Sequence, residues 1–408
     1  MNTPPLEWLF GLERLGMKFG LENMSKLMGE LGNPHRRFPS VLIAGTNGKG
    51  SVTALVEAAL HAANFRTARY TSPHLVRLEE RFVVSGQEVG TTELELAVDG
   101  VRGAVDALLR RGELALPPTF FECATAAAFE LFSRSDIEIA VIEVGLGGRL
   151  DATNVVTPLV CAITTIDFDH QALLGSSLEE IAAEKAGIIK PGVPVVIGRL
   201  PPPADAVVAR AARDANARLI RAHDVAAVPA GVRPALAGSH QRDNATVAIA
   251  LLNVLAERGF RVSDQAIRTA VERVRWPGRL ERLDYRGSEV LFDAAHNPGG
   301  ARALAVYLRE SGWTDATLVF AAMADKDVPG MLEALSPVVA RIICTTAASP
   351  RAASARELAG IAGSREGAPP VEIVEDPAAA LDRASALSPR VVVAGSIFLI
   401  GPLRGILR

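Results

Sequence analysis

The sequence predicts an α/β protein of two domains: a P-loop-type parallel sheet domain with helices on both faces, followed by a smaller, Rossmann-like α/β domain. Three observations support this fold class. Apolar, strand-like runs alternate with helical patterns over residues 41–197; a glycine-rich loop with a lysine joins the first strand to a helix; and a second alternating series spans residues 290–394. The length of 408 residues leaves room for both domains.

Apolar runs bounded by turn residues predict the strands of both sheets. The first series has runs at residues 41–44, 137–144, 160–166 and 193–197. The second series has runs at residues 290–292, 318–321, 342–345, 371–374 and 391–394. Sheets of this kind bind ligands at the carboxyl ends of their strands.

A break in the helical pattern separates the two series. Residues 263–274 have a helical pattern, and a Trp-Pro-Gly segment at residues 276–278 ends it because proline cannot continue a helix. We therefore predict a first domain over residues 1–276, a hinge over residues 277–288 and a second domain over residues 289–408.

The composition is that of a globular protein, with 49% hydrophobic and 22% charged residues. The net charge of −3 gives no basis for a nucleic-acid surface, and no apolar run approaches the roughly 18 residues of a membrane span. The N-terminal residues lack the basic stretch and apolar core of a secretion signal. Cys123, Cys161 and Cys344 are odd in number and far apart, which favours reduced core thiols. We expect a cytoplasmic protein without nucleic-acid or membrane partners.

The loop at residues 45–51, Gly-Thr-Asn-Gly-Lys-Gly-Ser, lies between the first predicted strand and a helix. Its glycines expose backbone N–H groups and its lysine stands at a helix N-terminus, an arrangement suited to a polyphosphate. The loop therefore predicts ATP or GTP binding. Gly50 separates Lys49 from Ser51, whereas the hydroxyl directly follows the lysine in the usual pattern. A glycine turn that merely joins strand to helix would need neither side chain.

Two side chains follow neighbouring predicted strands. Glu143 ends an apolar run, and a carboxylate buried at the end of a central strand needs a cation or a donor. Magnesium is the natural partner, and a structural ion pair with Arg149 is the alternative. His170 follows the next strand, where contact with a metal or nucleotide and a structural role both stay open.

Two further positions carry chemistry. A helix predicted to open with a capping box at residues 177–180 has Lys185 near its end, and the residues alone indicate a solvated or snorkelling lysine there. Asp293 and His296 follow a strand of the second series and precede a helix. They predict a second half-site that closes on the nucleotide and excludes water, with Asp293 as a plain helix cap as the alternative.

Taken in chain order, these motifs resemble those of folylpolyglutamate synthase and dihydrofolate synthase, members of the Mur-ligase type of ATP-dependent amide-forming enzymes. The resemblance runs through nearly the whole chain, and the shared order of so many motifs is highly specific. One stretch departs from the family pattern, because residues 16–19 match its early dihydropteroate-binding segment poorly. The matching stretches are residues 45–51, 71–75, 80–82, 119–122, 143–154, 169–170, 184–188, 277–281, 293–298, 324–327 and 395–396.

The resemblance implies that catalysis depends on Lys49, Lys185 and His296, with His296 close to the nucleotide. The implied ATP-binding residues are Thr46, Asn47, Gly48, Lys49, Gly50, Ser51, Asn244, Arg279 and Asp293. The implied pterin contacts are Thr119, Phe120, Phe121, Glu122, Leu150, Asp151 and Ala152.

The resemblance also implies a magnesium centre of two ions, and it reverses the interpretation of Lys185. The matching lysine in this family is carboxylated by carbon dioxide. A carbamate would supply an anionic oxygen to a hard cation, whereas an ammonium would repel it. The implied metal ligands are Ser72, Glu143, His170 and the carboxylated Lys185.

The implied reaction transfers the γ-phosphate of ATP to a carboxylate of a folate or of dihydropteroate, giving an acyl phosphate. The amino group of L-glutamate then displaces phosphate to form an amide, and ADP is released. Magnesium and Lys49 neutralise charge on the transferring group, so no nucleophilic side chain is required. We expect a monomer that works on these small molecules.

Two other functions stay open. Another Mur-type ligase, acting on cell-wall nucleotide precursors, would carry an additional domain before the phosphate loop, and the 44 residues there are too few for a typical domain. A non-catalytic nucleotide-binding protein would keep Lys49 but need not keep Glu143, His170, Lys185 and Asp293 together.

Overall fold

A computed structural model describes residues 3–16, 20–364 and 367–407. The early stretch that departs from the family pattern falls largely on residues 17–19, outside the described residues. The chain divides into two compact units. The first comprises Met1–Ile166, Leu178–Arg233 and Asp243–Val274; the second comprises Asp167–Ser177, Pro234–Arg242 and Arg275–Arg408. Among the described residues, no helix combines the length and apolarity that a membrane crossing requires.

The first unit contains an eight-stranded sheet in the order β4-β3-β2-β5-β1-β6-β7-β8, parallel except at β3 and β4. The central strand β1 is buried at all five residues, as expected where both faces of a parallel sheet are covered. The strands are β1 Ser40–Ala44, β2 Thr67–Tyr70, β3 Phe82–Val84, β4 Gln87–Glu88, β5 Ile139–Glu143, β6 Val160–Ile163, β7 Val195–Ile197 and β8 Leu219–Arg221.

The second unit contains a six-stranded sheet in the order β13-β12-β11-β14-β10-β9, parallel except for the edge strand β9. The strands are β9 Glu281–Tyr285, β10 Ser288–Asp293, β11 Thr317–Phe320, β12 Arg341–Cys344, β13 Val371–Ile373 and β14 Arg390–Ala394. Each of the nine predicted apolar runs overlaps a strand, and the predicted fold class is confirmed.

The helices bury one face against strands or against other helices, as α4 (Thr91–Arg110) does against α5 (Phe120–Arg134). In α4 the buried residues Leu94, Ala97, Val98 and Val101 follow the three-and-four spacing of an amphipathic helix. The α-helices are α1 Pro5–Gly11, α2 Glu22–Glu30, α3 Lys49–Ala62, α4 Thr91–Arg110, α5 Phe120–Arg134, α6 Gln171–Leu174, α7 Leu178–Ala186, α8 Pro202–Asp214, α9 Ala222–Val225, α10 Ser239–Ala256, α11 Asp264–Arg273, α12 Pro298–Glu310, α13 Val328–Leu335, α14 Ala355–Gly363, α15 Pro377–Leu387 and α16 Ile397–Ile406. Short 3₁₀ helices cover Leu12–Leu15, Pro34–Arg36, Leu78–Arg81, Ala152–Val155 and Ser336–Val338.

Candidate active site

The phosphate loop joins β1 to α3 and needs glycine at two positions. Gly48 precedes the first residue of α3 with φ +86°, and a Cβ atom there would lie 2.3 Å from Asn244 Oδ1. Gly45 has φ +150°, and its Cβ would lie 1.9 Å from Thr164 Oγ1. Only glycine fits these backbone conformations and close contacts. The loop is therefore packed against Asn244, one of the predicted nucleotide contacts, and against Thr164.

Two threonines that follow β6 hold the loop in place. The backbone N–H of Thr46 donates to Thr165 O at 2.8 Å, and that of Asn47 donates to Thr165 Oγ1 at 2.9 Å. Thr164 Oγ1 donates to Asn47 O at 2.6 Å. Sequence reasoning missed both threonines, although their position directly after a strand of the same sheet was an available signal. The loop is braced before α3 begins, and the first N–H groups of α3 face the N-terminal end, where anions bind.

Lys49 and Lys185 meet at one carbonyl oxygen. Lys49 Nζ donates to Gly45 O at 3.1 Å and to Thr46 O at 3.3 Å, and Lys185 Nζ donates to Gly45 O at 3.1 Å. Lys185 is only 3% exposed at the end of α7, so the interpretation as a solvated lysine was wrong. Two lysine side chains concentrated at the phosphate loop give this part of the first unit a strong attraction for anions.

Glu143 and Ser72, two of the predicted metal ligands, lie together in the first unit. Glu143 ends β5, is 5% exposed, and accepts the backbone N–H of Ser72 on Oε2 at 3.2 Å. Arg149, the alternative partner, pairs with Glu184, with Nη2 and Oε1 2.8 Å apart. A carboxylate and a serine hydroxyl are hard oxygen donors that fit Mg²⁺. Among the described residues no group of three or more His, Cys, Asp or Glu side chains forms a metal site.

His170 belongs to the second unit and adjoins a buried ion pair. Asp169 Oδ1 and Lys326 Nζ are 2.6 Å apart, and Lys326 Nζ lies 2.9 Å from His170 Nε2. Burial and the Lys326 charge lower the pKa of His170 to about 4, although Asp169 opposes them. Burial alone would raise the pKa of Asp169, but a hydrogen bond and the charges of His296 and Lys326 hold it well below its ordinary value. His170 is thus a neutral imidazole at pH 7, the form that can ligate a metal.

Asp293 closes a turn in the second unit. Its Oδ2 accepts the N–H of Leu280 and its Oδ1 the N–H of Ala295, both at 3.0 Å. Helix α12 is instead capped by Asn297, whose Oδ1 accepts the N–H of Gly300 at 2.8 Å, so the capping interpretation of Asp293 was wrong. Burial raises the pKa of Asp293, and the nearby positive charge of Arg279 only partly offsets this effect.

Arg279 and His296, two further predicted residues of the second unit, both contact the carbonyl oxygen of Ala294. Arg279 Nη1 donates to Ala294 O at 3.4 Å, and His296 Nδ1 lies 2.8 Å from the same oxygen. Because a carbonyl only accepts, Nδ1 of His296 carries the hydrogen in this arrangement. The opposite ring nitrogen, Nε2, is 3.5 Å from Asp169 Oδ2. The start of β9 and the end of β10, which pair with each other, therefore bring together Asp293, Arg279 and His296.

The predicted pterin contacts include a reciprocal cap and a buried aspartate. Thr119 caps α5 by accepting the N–H of Glu122 at 3.2 Å, and Glu122 Oε2 accepts the N–H of Thr119 at 2.8 Å. Asp151, which lies between Leu150 and Ala152 in the chain, accepts the N–H groups of Leu146 and Thr153. Burial raises the pKa of Asp151 despite these hydrogen bonds. Three of the predicted contacts therefore also shape the loops that carry them.

Aromatic rings surround the same region. Phe120 stacks on Phe10 with ring centroids 5.7 Å apart, and the Arg81 guanidinium lies 5.2 Å from the Phe120 centroid. Phe121 covers Gly145 so closely that a Cβ atom there would lie 2.5 Å from its ring. A flat, partly exposed aromatic surface with a buried arginine suits a planar heterocycle. Sequence reasoning assigned no role to Arg81 or Phe10.

Comparisons with known proteins give matches to related enzymes over most of the chain. The family model "Mur ligase, glutamate ligase domain" matches residues 278–397. The chain is 35% identical over 376 residues to the dihydrofolate synthase/folylpolyglutamate synthase of Bacillus subtilis, which covers 86% of each protein. It is 37% identical over 404 residues to the protein of the same name from Mycobacterium tuberculosis, covering 90% of this chain and 82% of that protein.

Solved structures give the same result at the level of the fold. The M. tuberculosis folylpolyglutamate synthase complexed with ADP superposes with a TM-score of 0.89 and 33% identity, covering 99% of both chains. Escherichia coli FolC in complex with DHPP and ADP superposes with a TM-score of 0.87 and 31% identity, covering 99% of this chain and 97% of the other. A Yersinia pestis structure in complex with AMPPNP and a Mn ion has a TM-score of 0.86.

Proposed function

This chain belongs to the dihydrofolate synthase/folylpolyglutamate synthase family, and we propose that it acts through the residues gathered around the phosphate loop. It is an ATP-dependent, ADP-forming ligase that adds L-glutamate to a folate or to dihydropteroate. The proposed roles of these residues rest on one observation in the phosphate loop: Lys49 and Lys185 both donate to Gly45 O just before α3 begins.

The proposed nucleotide site combines backbone and side-chain donors. The free N–H groups at the start of α3 and the Lys49 ammonium bind the phosphates, because both place positive charge where the phosphoryl group is transferred. Asn244 packs against the same loop. We propose Arg279 and Asp293 of the second unit as further nucleotide contacts on the strength of the family resemblance. The proposed loop residues are Thr46, Asn47, Gly48, Lys49, Gly50 and Ser51.

The proposed chemistry needs charge neutralisation and positioning. The substrate carboxylate attacks the γ-phosphorus of ATP, ADP leaves, and the amine of L-glutamate then displaces phosphate from the acyl phosphate with loss of a proton. Lys49 stabilises the negative charge on the oxygens during transfer. Divalent metal, when bound, supplies further neutralising charge, and Ser72, Glu143, His170 and a Lys185 carbamate would hold it.

A carbamate on Lys185 forms when its neutral amine attacks carbon dioxide, which creates an N–C bond and releases a proton. Two observations support the carbamate: Lys185 is buried beside the phosphate loop, and the nearby Lys49 ammonium would stabilise an anion added there. The product supplies the oxygen ligand that a hard cation requires.

Two measurements test the carbamate. Lys185→Ala should lose activity, and acetate should restore part of it by filling the vacated anionic position. Carbon-13-labelled bicarbonate should give a carbamate resonance in the intact protein that Lys185→Ala removes. Lys190→Ala is the matched control, since Lys190 also donates to a backbone carbonyl, Asn154 O, at 3.0 Å. The same resonance in Lys185→Ala would refute the assignment.

The activity itself is tested by supplying Mg²⁺, ATP and L-glutamate with either dihydropteroate or tetrahydrofolate. We expect ADP release that depends on both glutamate and an acceptor, together with a product heavier by one glutamate residue. Lys49→Ala should remove amide formation because the phosphate-neutralising charge is lost. Absence of ADP release with every combination would favour a non-catalytic nucleotide-binding protein.

We also propose that the enzyme works in the cytoplasm. Cys123, Cys161 and Cys344 are buried free thiols in the described part of the chain. Burial raises the pKa of the Cys161 and Cys344 thiols to about 12, so both stay protonated and unreactive. Free core thiols are typical of proteins from a reducing compartment.

A further inference from the structure

The last helix of the chain is joined to the first strand of the second sheet by a buried ion pair. Arg404 of α16 donates from Nε to Glu281 Oε2 at 2.7 Å and from Nη2 to Oε1 at 2.8 Å. The two side chains are 5% and 20% exposed. Such a two-point arginine–carboxylate contact fixes the orientation of both groups, because each group presents its atoms in a rigid plane.

The same glutamate also fixes the turn that carries Arg279. Glu281 Oε2 accepts the N–H of Gly278 at 2.8 Å, and Asp293 Oδ2 accepts the N–H of Leu280 at 3.0 Å. The residues on both sides of Arg279 are therefore bound to carboxylates. Leu280 adopts φ +47°, a left-handed conformation that is strained for a branched side chain and persists only where the surroundings impose it.

We propose that Arg404 is a positioning residue for Arg279, acting through Glu281 and the turn at residues 278–280. In this proposal Arg404 acts indirectly, because its guanidinium is buried and bound to Glu281. It keeps the Glu281 carboxylate aimed at the Gly278 amide, and that bond sets the direction in which Arg279 leaves the turn. This inference rests on the proposed role of Arg279 in nucleotide binding.

The experiment compares Arg404→Met and Arg404→Lys in the full chain. Hydrogen exchange over residues 276–283 reports the Gly278 and Leu280 amides, and calorimetric titration reports ADP affinity. Arg404→Met should speed exchange and weaken ADP binding about tenfold, within the range typical of residues that act at a distance. Arg404→Lys keeps the charge but not the two-point contact, so its effects should be smaller.

Arg383→Met is the matched control, because Arg383 makes an exposed ion pair with Glu372 in the same unit, at 2.8 Å. It should change neither measurement. Should Arg404→Met fail to fold, as judged by circular dichroism, Glu281→Gln carries the test, since it keeps the shape and loses the charge. Unchanged exchange and ADP affinity in Glu281→Gln and Arg404→Lys would refute the positioning role.

Arg279→Ala separates this inference from the function on which it rests. If Arg279→Ala weakens ADP binding and Arg404→Met does not, the positioning role alone is refuted. If Arg279→Ala leaves ADP affinity unchanged, the nucleotide role of Arg279 is refuted, and the proposal falls with it. Equal losses in Arg279→Ala, Arg404→Met and the double variant would support the proposal, because both residues would then act in one step.

Discussion

Gly48 shows at the scale of one residue how the phosphate loop depends on close packing. Its backbone is left-handed and its Cα faces the Asn244 amide, so the Asn244 side chain packs where a Cβ atom of residue 48 would lie. The pattern of glycines around Lys49 allowed this loop to be predicted. The contact with Asn244 and the bracing by Thr164 were not predicted, because both residues lie more than a hundred positions away in the sequence, and only the place of Thr164 directly after β6 pointed to its role.

We predict that Gly48→Ala lowers ADP affinity and costs about 1–3 kcal/mol of unfolding free energy, because the new Cβ would clash with Asn244 and force a strained φ. Titration calorimetry and urea unfolding measure the two effects. Gly103→Ala is the control: nothing lies within 4 Å of its Cβ position inside α4, so it should stabilise slightly. Normal ADP binding by Gly48→Ala would contradict the tight contact.

We also predict a pH-dependent stability that originates at His35. Burial and the neighbouring Arg36 lower the pKa of His35 to about 4 in the folded state. As pH falls from 7, the unfolded chain binds the proton first, near its ordinary pKa of about 6.5, so stability decreases until the folded pKa is reached. The loss between pH 7 and pH 4 should be about 3 kcal/mol.

Urea unfolding at pH 7 and pH 5 checks this prediction. His35→Gln cannot titrate, so its unfolding free energy should change less between the two pH values than that of the wild type. His61→Gln replaces an exposed histidine and should behave like the wild type. An equal pH dependence in His35→Gln would show that other groups are responsible.

Among the elements, burial does not separate the predicted strands from the missed ones, because the partly exposed β13 was predicted and the mostly buried β2 was missed. Continuous runs such as β1 and β5 are buried on both faces and were visible in the sequence. The strands β2, β3, β4, β8 and β9 were missed, because they are short, lie at or near a sheet edge, or alternate polar with apolar residues. β9 alternates in this way within the predicted hinge and pairs with β10.

The carboxyl end of β5 carries the next prediction. We expect Glu143→Gln to keep the fold but to shift the Mg²⁺ dependence of activity to higher concentration, because the anionic ligand is lost while the Ser72 N–H can still be accepted. A Mg²⁺ titration of ADP release measures the shift. Glu138→Gln, a change in the turn before the same strand, should leave the titration unaltered. An unchanged curve in Glu143→Gln would exclude the ligand role.

At the scale of the whole molecule, large exposed apolar side chains are spread over separate elements of both units. Phe10 is on α1, Leu96 on α4, Val306 on α12 and Ile406 on α16. Single exposed apolar residues are normal on the surface of a monomer. We therefore predict a monomer of 43.1 kDa by size-exclusion chromatography with light scattering at micromolar concentration. A mass near twice this value would contradict the prediction.

The division of the chain between the two units has a consequence for its synthesis. Asp167–Ser177 and Pro234–Arg242 belong to the second unit, yet both leave the ribosome before the rest of that unit, Arg275–Arg408, has been made. At roughly 5–20 residues per second, this wait lasts on the order of ten seconds. A gene cut once between residues 274 and 275 would therefore give a second product that lacks two of its own segments and a first product that carries those segments in addition to its own. No single cut divides the gene into two parts that each encode one complete unit.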